Sequence, residues 1–263
     1  TLYFTKAVPA SDEFELSNPL LSIIIPAHNE ENRLPDTLDK IFDFLNAQTY
    51  QGEILVVENG SHDRTLELAR EYAGRNSCLR VFHEEQRGKG LAVRRGMLAA
   101  RGEYRIFCDA DLSMPIDKVN SFIPPNLPDM DIAIASREAP GAVRYNEPIY
   151  RHLIGRVFNA MVKWTVLPDL QDTQCGFKCF RAAVAEDVFR FQTLGGMSFD
   201  AEVLFIACRK GYRIVEIPIP WYFNPDSRVR LFDDSMKMAY DLLTIRRNAR
   251  RGVYDAPIPQ PES

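Results

Sequence analysis

Tyr104-Arg-Ile-Phe-Cys-Asp-Ala-Asp-Leu-Ser113 is the stretch that decides the fold. An apolar β-type run (Ile106, Phe107, Cys108) ends in two carboxylates, Asp109 and Asp111, spaced i, i+2, with Pro115 just beyond. A strand that stops at charged side chains delivers them to the carboxyl rim of an α/β sheet, where such sheets bind ligands. Oxygen donors on a short turn suit a hard cation, Mg²⁺ or Mn²⁺, which shares its other positions with water and substrate phosphates. Asp-x-Asp alone is equally a solvated turn, so its meaning depends on the surrounding sequence.

Two further runs have the same form. Leu21-Ser-Ile-Ile-Ile-Pro-Ala-His-Asn-Glu-Glu31 reads as a strand buried on both faces, ended by Pro26 and followed by helical spacing at Leu34, Leu38, Ile41, Phe42 and Leu45. Glu53-Ile-Leu-Val-Val-Glu-Asn-Gly-Ser-His-Asp63 is a second buried-type strand ending in acid, with Ser61 as a helix N-cap. Three strands therefore bring polar residues to one edge of one sheet. Strand signals at 20–25, 53–58, 79–83, 104–108 and 131–136 alternate with helical patterns at 31–47, 62–73, 88–101 and 115–123. Such alternation predicts βαβ units and a single α/β domain with a mostly parallel central sheet flanked by helices. Beyond residue 137, Ala139-Pro-Gly-Ala142 reads as a mobile loop, and 148–166 as a helix with Ile149, Leu153, Val157 and Met161 along it. Strand-like 174–180, helices at 181–190 and 199–210, and a strand at 212–217 follow.

Composition limits the function classes. The chain has 263 residues, 46% hydrophobic and 26% charged, which suits one soluble α/β domain with a sizeable core. A net charge of −4 disfavours nucleic acid as a partner, because phosphate-backbone binding needs a basic field. The five cysteines lack paired CxxC spacing and read as free thiols in a reducing compartment. No window offers the ~18 apolar residues of a membrane span. Thr1-Leu-Tyr-Phe lacks the basic and apolar regions of a signal peptide. These features predict a cytoplasmic protein with loose tails at 1–19 and 246–263, the second of them basic.

The motifs and their order resemble family 2 glycosyltransferases of GT-A fold. The resemblance rests on Ile-Ile-Ile-Pro-Ala-His-Asn-Glu-Glu31, Val-Val-Glu-Asn-Gly-Ser-His-Asp63, Arg87-Gly-Lys-Gly90 with Ala92-Val-Arg-Arg-Gly96, and Asp109-Ala-Asp111. Asp172-Thr-Gln-Cys-Gly-Phe-Lys178 and Ser198-Phe-Asp-Ala-Glu-Val203 are similar to the dolichyl-phosphate β-glucosyltransferase branch, and Gly211-Tyr-Arg-Ile-Val-Glu-Ile-Pro218 to polyprenyl-phosphate sugar transferases generally. It covers residues 20–245 and implies a nucleotide-sugar half (20–137) and an acceptor half (138–245). One departure is Glu58-Asn59, where the second strand of the family usually ends Asp-Asp.

The resemblance implies an inverting, metal-dependent hexosyltransferase that moves glucose from UDP-glucose to a polyprenyl or dolichyl phosphate. Asp111 would be the main ligand of Mg²⁺ or Mn²⁺, with Asp109 shared between metal and ribose and water near Ser113 completing the shell. The cation would neutralise charge building on the leaving diphosphate. Pro26, His28, Glu30 and Glu58 would shape the nucleoside pocket. Lys89 in the Gly88–Gly90 entry would approach donor oxygens, although a plain glycine-rich helix entry explains that motif equally. Asp172 and Asp200 are the candidate bases for a hydroxyl acceptor. A phosphate acceptor is already an anion, and then Arg137, Arg151 and Arg228 are the candidate cations that hold it. Residues 229–247 carry a helical apolar stripe followed by Arg246-Arg-Asn-Ala-Arg-Arg251, which reads either as a helix docked on the core or as an interfacial helix on a membrane surface. Rival functions are transfer to a sugar hydroxyl, a GDP-mannose-using mannosyltransferase, and a silent sugar-nucleotide-binding protein.

Overall fold

The computed structural model describes residues 18–223 and 231–255, apart from the side chains at 151, 154, 158 and 231–236. The strand β1 (Leu21–Ala27) lies in the middle of a seven-stranded sheet, bonded in parallel to β2 (Gly52–Asn59) on one side and to β4 (Tyr104–Cys108) on the other. β3 (Leu79–Glu84) continues the sheet beyond β2. Past β4 come β7 (Phe177–Arg181), β5 (Ile132–Ser136) and β8 (Ile214–Pro218), giving the order β3-β2-β1-β4-β7-β5-β8. β7 is antiparallel to both of its neighbours. The expected α/β class and mostly parallel sheet are therefore found, with one strand reversed.

Both faces of the sheet are covered, as the unbroken apolar runs require. Alternate residues serve opposite layers. Ile24, Leu55, Val57 and Phe107 face the helices α3 (Lys89–Ala99), α5 (Ala182–Phe189), α6 (Phe199–Arg209) and α7 (Leu231–Arg250). Ile23, Ile25, Ile54, Val56 and Ile106 face α1 (Leu34–Asn46), α2 (Thr65–Ala73) and a 3-10 helix at Ile116–Phe122. Each fully buried aliphatic side chain contributes about 1.5–3 kcal/mol. The chain turns to opposite sides of β1 when it enters β2 and β4, so a crevice opens between the carboxyl ends of β1 and β4.

Several boundaries differ from the sequence expectation for local reasons. α1 starts at Leu34, because Pro35 favours the first turn and residues 29–33 are used in a turn with Asn29 at positive φ. The 115–123 segment is 3-10 rather than α, confined between Pro115 and Pro124. The pair β6 (Val143–Tyr145) and β9 (Pro220–Tyr222) gave no strand signal; it forms a separate two-stranded parallel ribbon in which Tyr145 stacks on Tyr222 at 4.7 Å. The residue 139–142 segment closes as a turn, Ala142 N donating to Ala139 O at 3.0 Å.

The expected basic tail from residue 246 is corrected. α7 continues to Arg250, anchored by fully buried Leu242 and Ile245, and Tyr254 beyond it is buried with its hydroxyl donating to Glu202 at 2.8 Å. α7 is thus docked on the core. α4 (Ile149–Thr165) differs in character: Ile149, Leu153, Val157 and Met161 all face outward. Among the described residues no helix is long and apolar enough to cross a membrane.

Gly96 sits where α3 crosses β1, and a Cβ there would run into the Ile24 side chain. Gly96→Val is expected to lower stability by about 1–3 kcal/mol through overpacking. Urea unfolding should report it as a lower midpoint with an unchanged slope.

Candidate active site

The crevice at the ends of β1 and β4 opens into a pocket whose wall includes Lys89, Asp109, Asp111, Arg137, Gln174 and Trp221. Asp109 is the first residue past β4. Its amide donates to Gly176 O at 3.2 Å, and Leu112 N donates back to Asp109 O at 3.1 Å. That tight turn holds Leu112 at φ 44°, a left-handed conformation a branched side chain adopts only when its surroundings impose it. Asp111 Oδ1 accepts the Ser113 amide at 3.1 Å. Gly176 is required opposite them, because a Cβ would collide with the Asp109 carboxylate.

Lys89, the first residue of α3, places Nζ on Asp109 Oδ1. Burial by itself would lower its pKa, but Asp109, Asp200 and Asp111 together raise it. Burial, then the neighbouring charge of Asp109, raises the pKa of Asp111. Two crowded carboxylates with a single lysine among them form a site that favours added positive charge. The glycines flanking Lys89 have a packing reason. A Cβ on Gly88 would lie 2.5 Å from Gly195 O, and one on Gly90 would lie 2.7 Å from Leu194 O. Gly90 N also donates to Gly195 O at 2.9 Å. Arg87-Gly-Lys-Gly90 is therefore a close-packed helix entry that aims a lysine at Asp109.

The donor set fits a hard divalent cation. Asp109 and Asp111 are oxygen ligands on one turn, and among the described residues no three or more His, Cys, Asp or Glu side chains converge on a metal position. Two carboxylates with the remaining positions left to water and phosphate is the arrangement Mg²⁺ commonly accepts.

Opposite the carboxylates, Asp172 holds Arg137. Its Oδ2 accepts from Arg137 Nε at 2.7 Å and from the Arg137 amide at 3.0 Å. Its Oδ1 accepts from Arg137 Nη2 at 2.9 Å and from Gln174 N at 3.1 Å. Burial by itself would raise the Asp172 pKa, but Arg137 holds its carboxyl well below the usual carboxylate range. With four hydrogen bonds accepted and no exposed surface, Asp172 cannot take a substrate proton. Its expected role as a base is corrected: it fixes the guanidinium. Trp221 covers Arg137 with ring centroid and Cζ 5.4 Å apart.

Asp200, in the first turn of α6, lies behind the pocket. It is buried and accepts from Lys178 Nζ at 2.6 Å. Burial pushes its pKa up, against the lowering by Lys178 and Lys89. Lys178 is itself fully buried and donates also to Cys175 O at 2.6 Å. The sequence carried no signal for this pair beyond both residues lying in quoted motifs. A lysine in the middle of an apolar strand pattern was the available clue.

The nucleoside candidates lie along the adjoining rim of β1 and β2. His28 Nδ1 is 2.9 Å from Asn59 O, Asn29 N donates to Ser61 Oγ at 2.9 Å, and Glu30 pairs with Arg33 at 2.7 Å. Glu58 is buried, accepting the Ser61 amide and lying 2.5 Å from His83 Nδ1. Pro26 is paired in register with Val57 inside β1. Among the remaining candidates, Arg151 belongs to α4 but its side chain is outside the described atoms, and Arg228 lies outside the described residues. Cys108, Cys175 and Cys179 are buried free thiols, and burial pushes the Cys175 thiol up to about 12, which makes it inert.

Known proteins share this arrangement. The sequence model of the family described as Glycosyl transferase family 2 matches residues 22–189. Dolichyl-phosphate beta-glucosyltransferase of Dictyostelium discoideum is 31% identical over 255 residues, 91% of this chain and 77% of that protein. The Saccharomyces cerevisiae dolichyl-phosphate beta-glucosyltransferase is 33% identical over 271 residues, 95% of this chain and 81% of that protein. Among solved structures, glucosyl-3-phosphoglycerate synthase from Mycobacterium tuberculosis in complex with Mn²⁺, uridine diphosphate and phosphoglyceric acid superposes with a TM-score of 0.60 at 18% identity, covering 93% of this chain and 81% of that one. Mannosyl-3-phosphoglycerate synthase from Rubrobacter xylanophilus gives a TM-score of 0.64 at 16% identity, covering 93% and 77%. The two structures establish likeness of fold.

Asp172→Asn leaves Arg137 buried without its counter-charge and is expected to destabilise the protein by about 3–5 kcal/mol. Because the folded pKa of Asp172 is depressed, its contribution is present above the unfolded value near 3.9 and is lost as pH falls toward the folded one. Stability measured against pH should therefore fall on the acid side in the native protein and fall less steeply in the variant.

Proposed function

The chain belongs to glycosyl transferase family 2 and is a hexosyltransferase, and from that premise we propose that it transfers glucose from UDP-glucose to a dolichyl-type polyprenyl phosphate. The observation that carries the acceptor assignment is the state of the two candidate bases. Asp172 has every acceptor position filled by Arg137 and backbone amides, and Asp200 is buried behind the pocket on Lys178. A hydroxyl acceptor needs a base in reach, whereas a phosphate monoester arrives as an anion. Arg137, held rigid and facing the pocket, is a fitting partner for it, and its Nη1 is not engaged by Asp172. The dolichyl-phosphate beta-glucosyltransferases to which the chain is similar support the same class of acceptor and sugar.

In this reading Asp109 and Asp111 hold Mg²⁺ or Mn²⁺. When bound, the cation offsets negative charge on the diphosphate as it leaves. Lys89, already drawn to Asp109, lies beside the same oxygens. The pyrimidine and ribose lie over Pro26, His28, Glu30 and the rim fixed by Glu58. Arg137 orients the acceptor phosphate so that its oxygen attacks the anomeric carbon from the side opposite the nucleotide. The new C–O bond forms as the bond to UDP breaks, inverting the centre. UDP in several fold-related structures fits the choice of donor base.

Asp111→Asn should fold normally and lose transfer by about 10²-fold or more, because a neutral amide replaces a charged ligand. Full turnover of the native enzyme in excess chelator would rule the metal out. In a thermal-shift panel with Mn²⁺, UDP-glucose at ~100 Kd should stabilise by about 2.7 kcal/mol, a rise of roughly 5–10 °C. Stabilisation by GDP-mannose and by no UDP-sugar would assign the other donor. Short polyprenyl phosphates should accept glucose where simple sugars do not; glycosylation of the sugars alone would overturn the phosphate acceptor.

A further inference from the structure

α4 is an amphipathic helix facing the wrong way for a protein in water. At ~100° per residue, Ile149, Tyr150, Leu153, Val157, Met161 and Trp164 fall within a sector of about 120°, a strip roughly 22 Å long. All six are exposed, Ile149 and Trp164 each at 88%. The opposite side meets the core through Asn159 and Val162, which are buried. The large apolar face therefore points directly outward, and a contiguous apolar face of this kind marks an interaction surface.

Three observations select the partner. The charges α4 carries are all of one sign: Arg151, Arg156 and Lys163, with His152, and no Asp or Glu from 149 to 165, although the whole chain is at −4. Arg156 and Lys163 lie along one margin of the apolar strip, where a cation meets anionic headgroups while its neighbours enter the acyl boundary. Trp164 and Tyr150 are the aromatic types that favour such a boundary. The strip is also continuous with the mouth of the active site. Tyr222 N donates to Ser113 O at 2.9 Å, two residues from Asp111, and Phe223 N donates to Tyr145 O at 3.0 Å. Tyr145 and Tyr222, stacked and exposed, then lead within four residues into Ile149.

We propose that the outward face of α4 docks on an anionic lipid bilayer and brings the pocket mouth to the membrane surface, an inference that rests on the lipid-phosphate acceptor reading. The docking surface is thus α4 and not the basic helix α7, whose apolar residues Leu242 and Ile245 are used in the core.

Flotation of the whole chain with phosphatidylcholine vesicles, with and without phosphatidylserine, tests it. The native protein should float with the anionic vesicles at least about tenfold more tightly than with the neutral ones. Leu153→Glu and Trp164→Glu should each weaken that binding by about tenfold or more, and Arg156→Glu should weaken it without changing the apolar area. Far-UV circular dichroism should be unchanged in all three. Transfer to a short, water-soluble polyprenyl phosphate should stay within about twofold of native, since none of these residues touches the pocket. Equal vesicle binding by native protein and variants, or none by either, overturns the proposal. So does a native dimer in sedimentation equilibrium that Leu153→Glu splits, which would make the face a contact between copies. Normal vesicle binding without transfer to the soluble phosphate would refute the acceptor reading and leave the docking surface standing.

Discussion

Arg137 and Asp172 form the ion pair on which the acceptor side of the pocket depends. Neither charge could be buried alone, since the desolvation penalty of an unpaired ion in the interior is several kcal/mol. Bidentate geometry and two further amide donors make the pair tolerable, and they also fix its orientation. The pair spans the point where the sheet changes direction, joining the end of β5 to the loop that enters the reversed strand β7. A second buried pair, Lys178 with Asp200, ties β7 itself to α6. The two pairs hold the acceptor half against the nucleotide half without a separate domain interface.

The donor side has the opposite imbalance. Asp109 and Asp111 are held on a strained turn, with Lys89 as the counter-charge nearest at hand. Gly176 brings β7 close enough that the Asp109 carboxylate has no room to swing toward it. The pocket therefore presents fixed negative charge on one wall and a fixed guanidinium on the other. A diphosphate bound through a cation and an incoming phosphate would approach from these two sides. Preorganised charge of this kind is effective because it does not have to reorient when the reaction proceeds.

The surface shows a comparable division. α7 uses its apolar side inward and leaves basic residues in water, which is ordinary behaviour for a terminal helix. α4 buries only a narrow side and presents aliphatic and aromatic residues outward, so its sequence periodicity is real but its direction is reversed. Both helices read alike in one dimension, as apolar residues at helical spacing. Only their contacts separate the core helix from the surface helix.

Much of the molecule was determined locally. The runs Leu21–Ala27, Gly52–Asn59 and Tyr104–Cys108 are continuous and β-branched or aromatic, so they could only be strands buried on both faces, and their acidic ends had to meet at one edge. The parallel half of the sheet and the Asp109–Asp111 site followed from that pattern, because strand period and strand polarity are properties of short segments. What the tertiary structure alone decided involves partners far apart in the chain. Asp172 became a structural anion because Arg137, 35 residues away, reaches it. Asp200 was withdrawn from the pocket by Lys178, and Glu58 was engaged by His83. A carboxylate in a sequence carries no mark of whether a cation will fold onto it. That depends on which strands pair, and pairing is settled by the whole core at once.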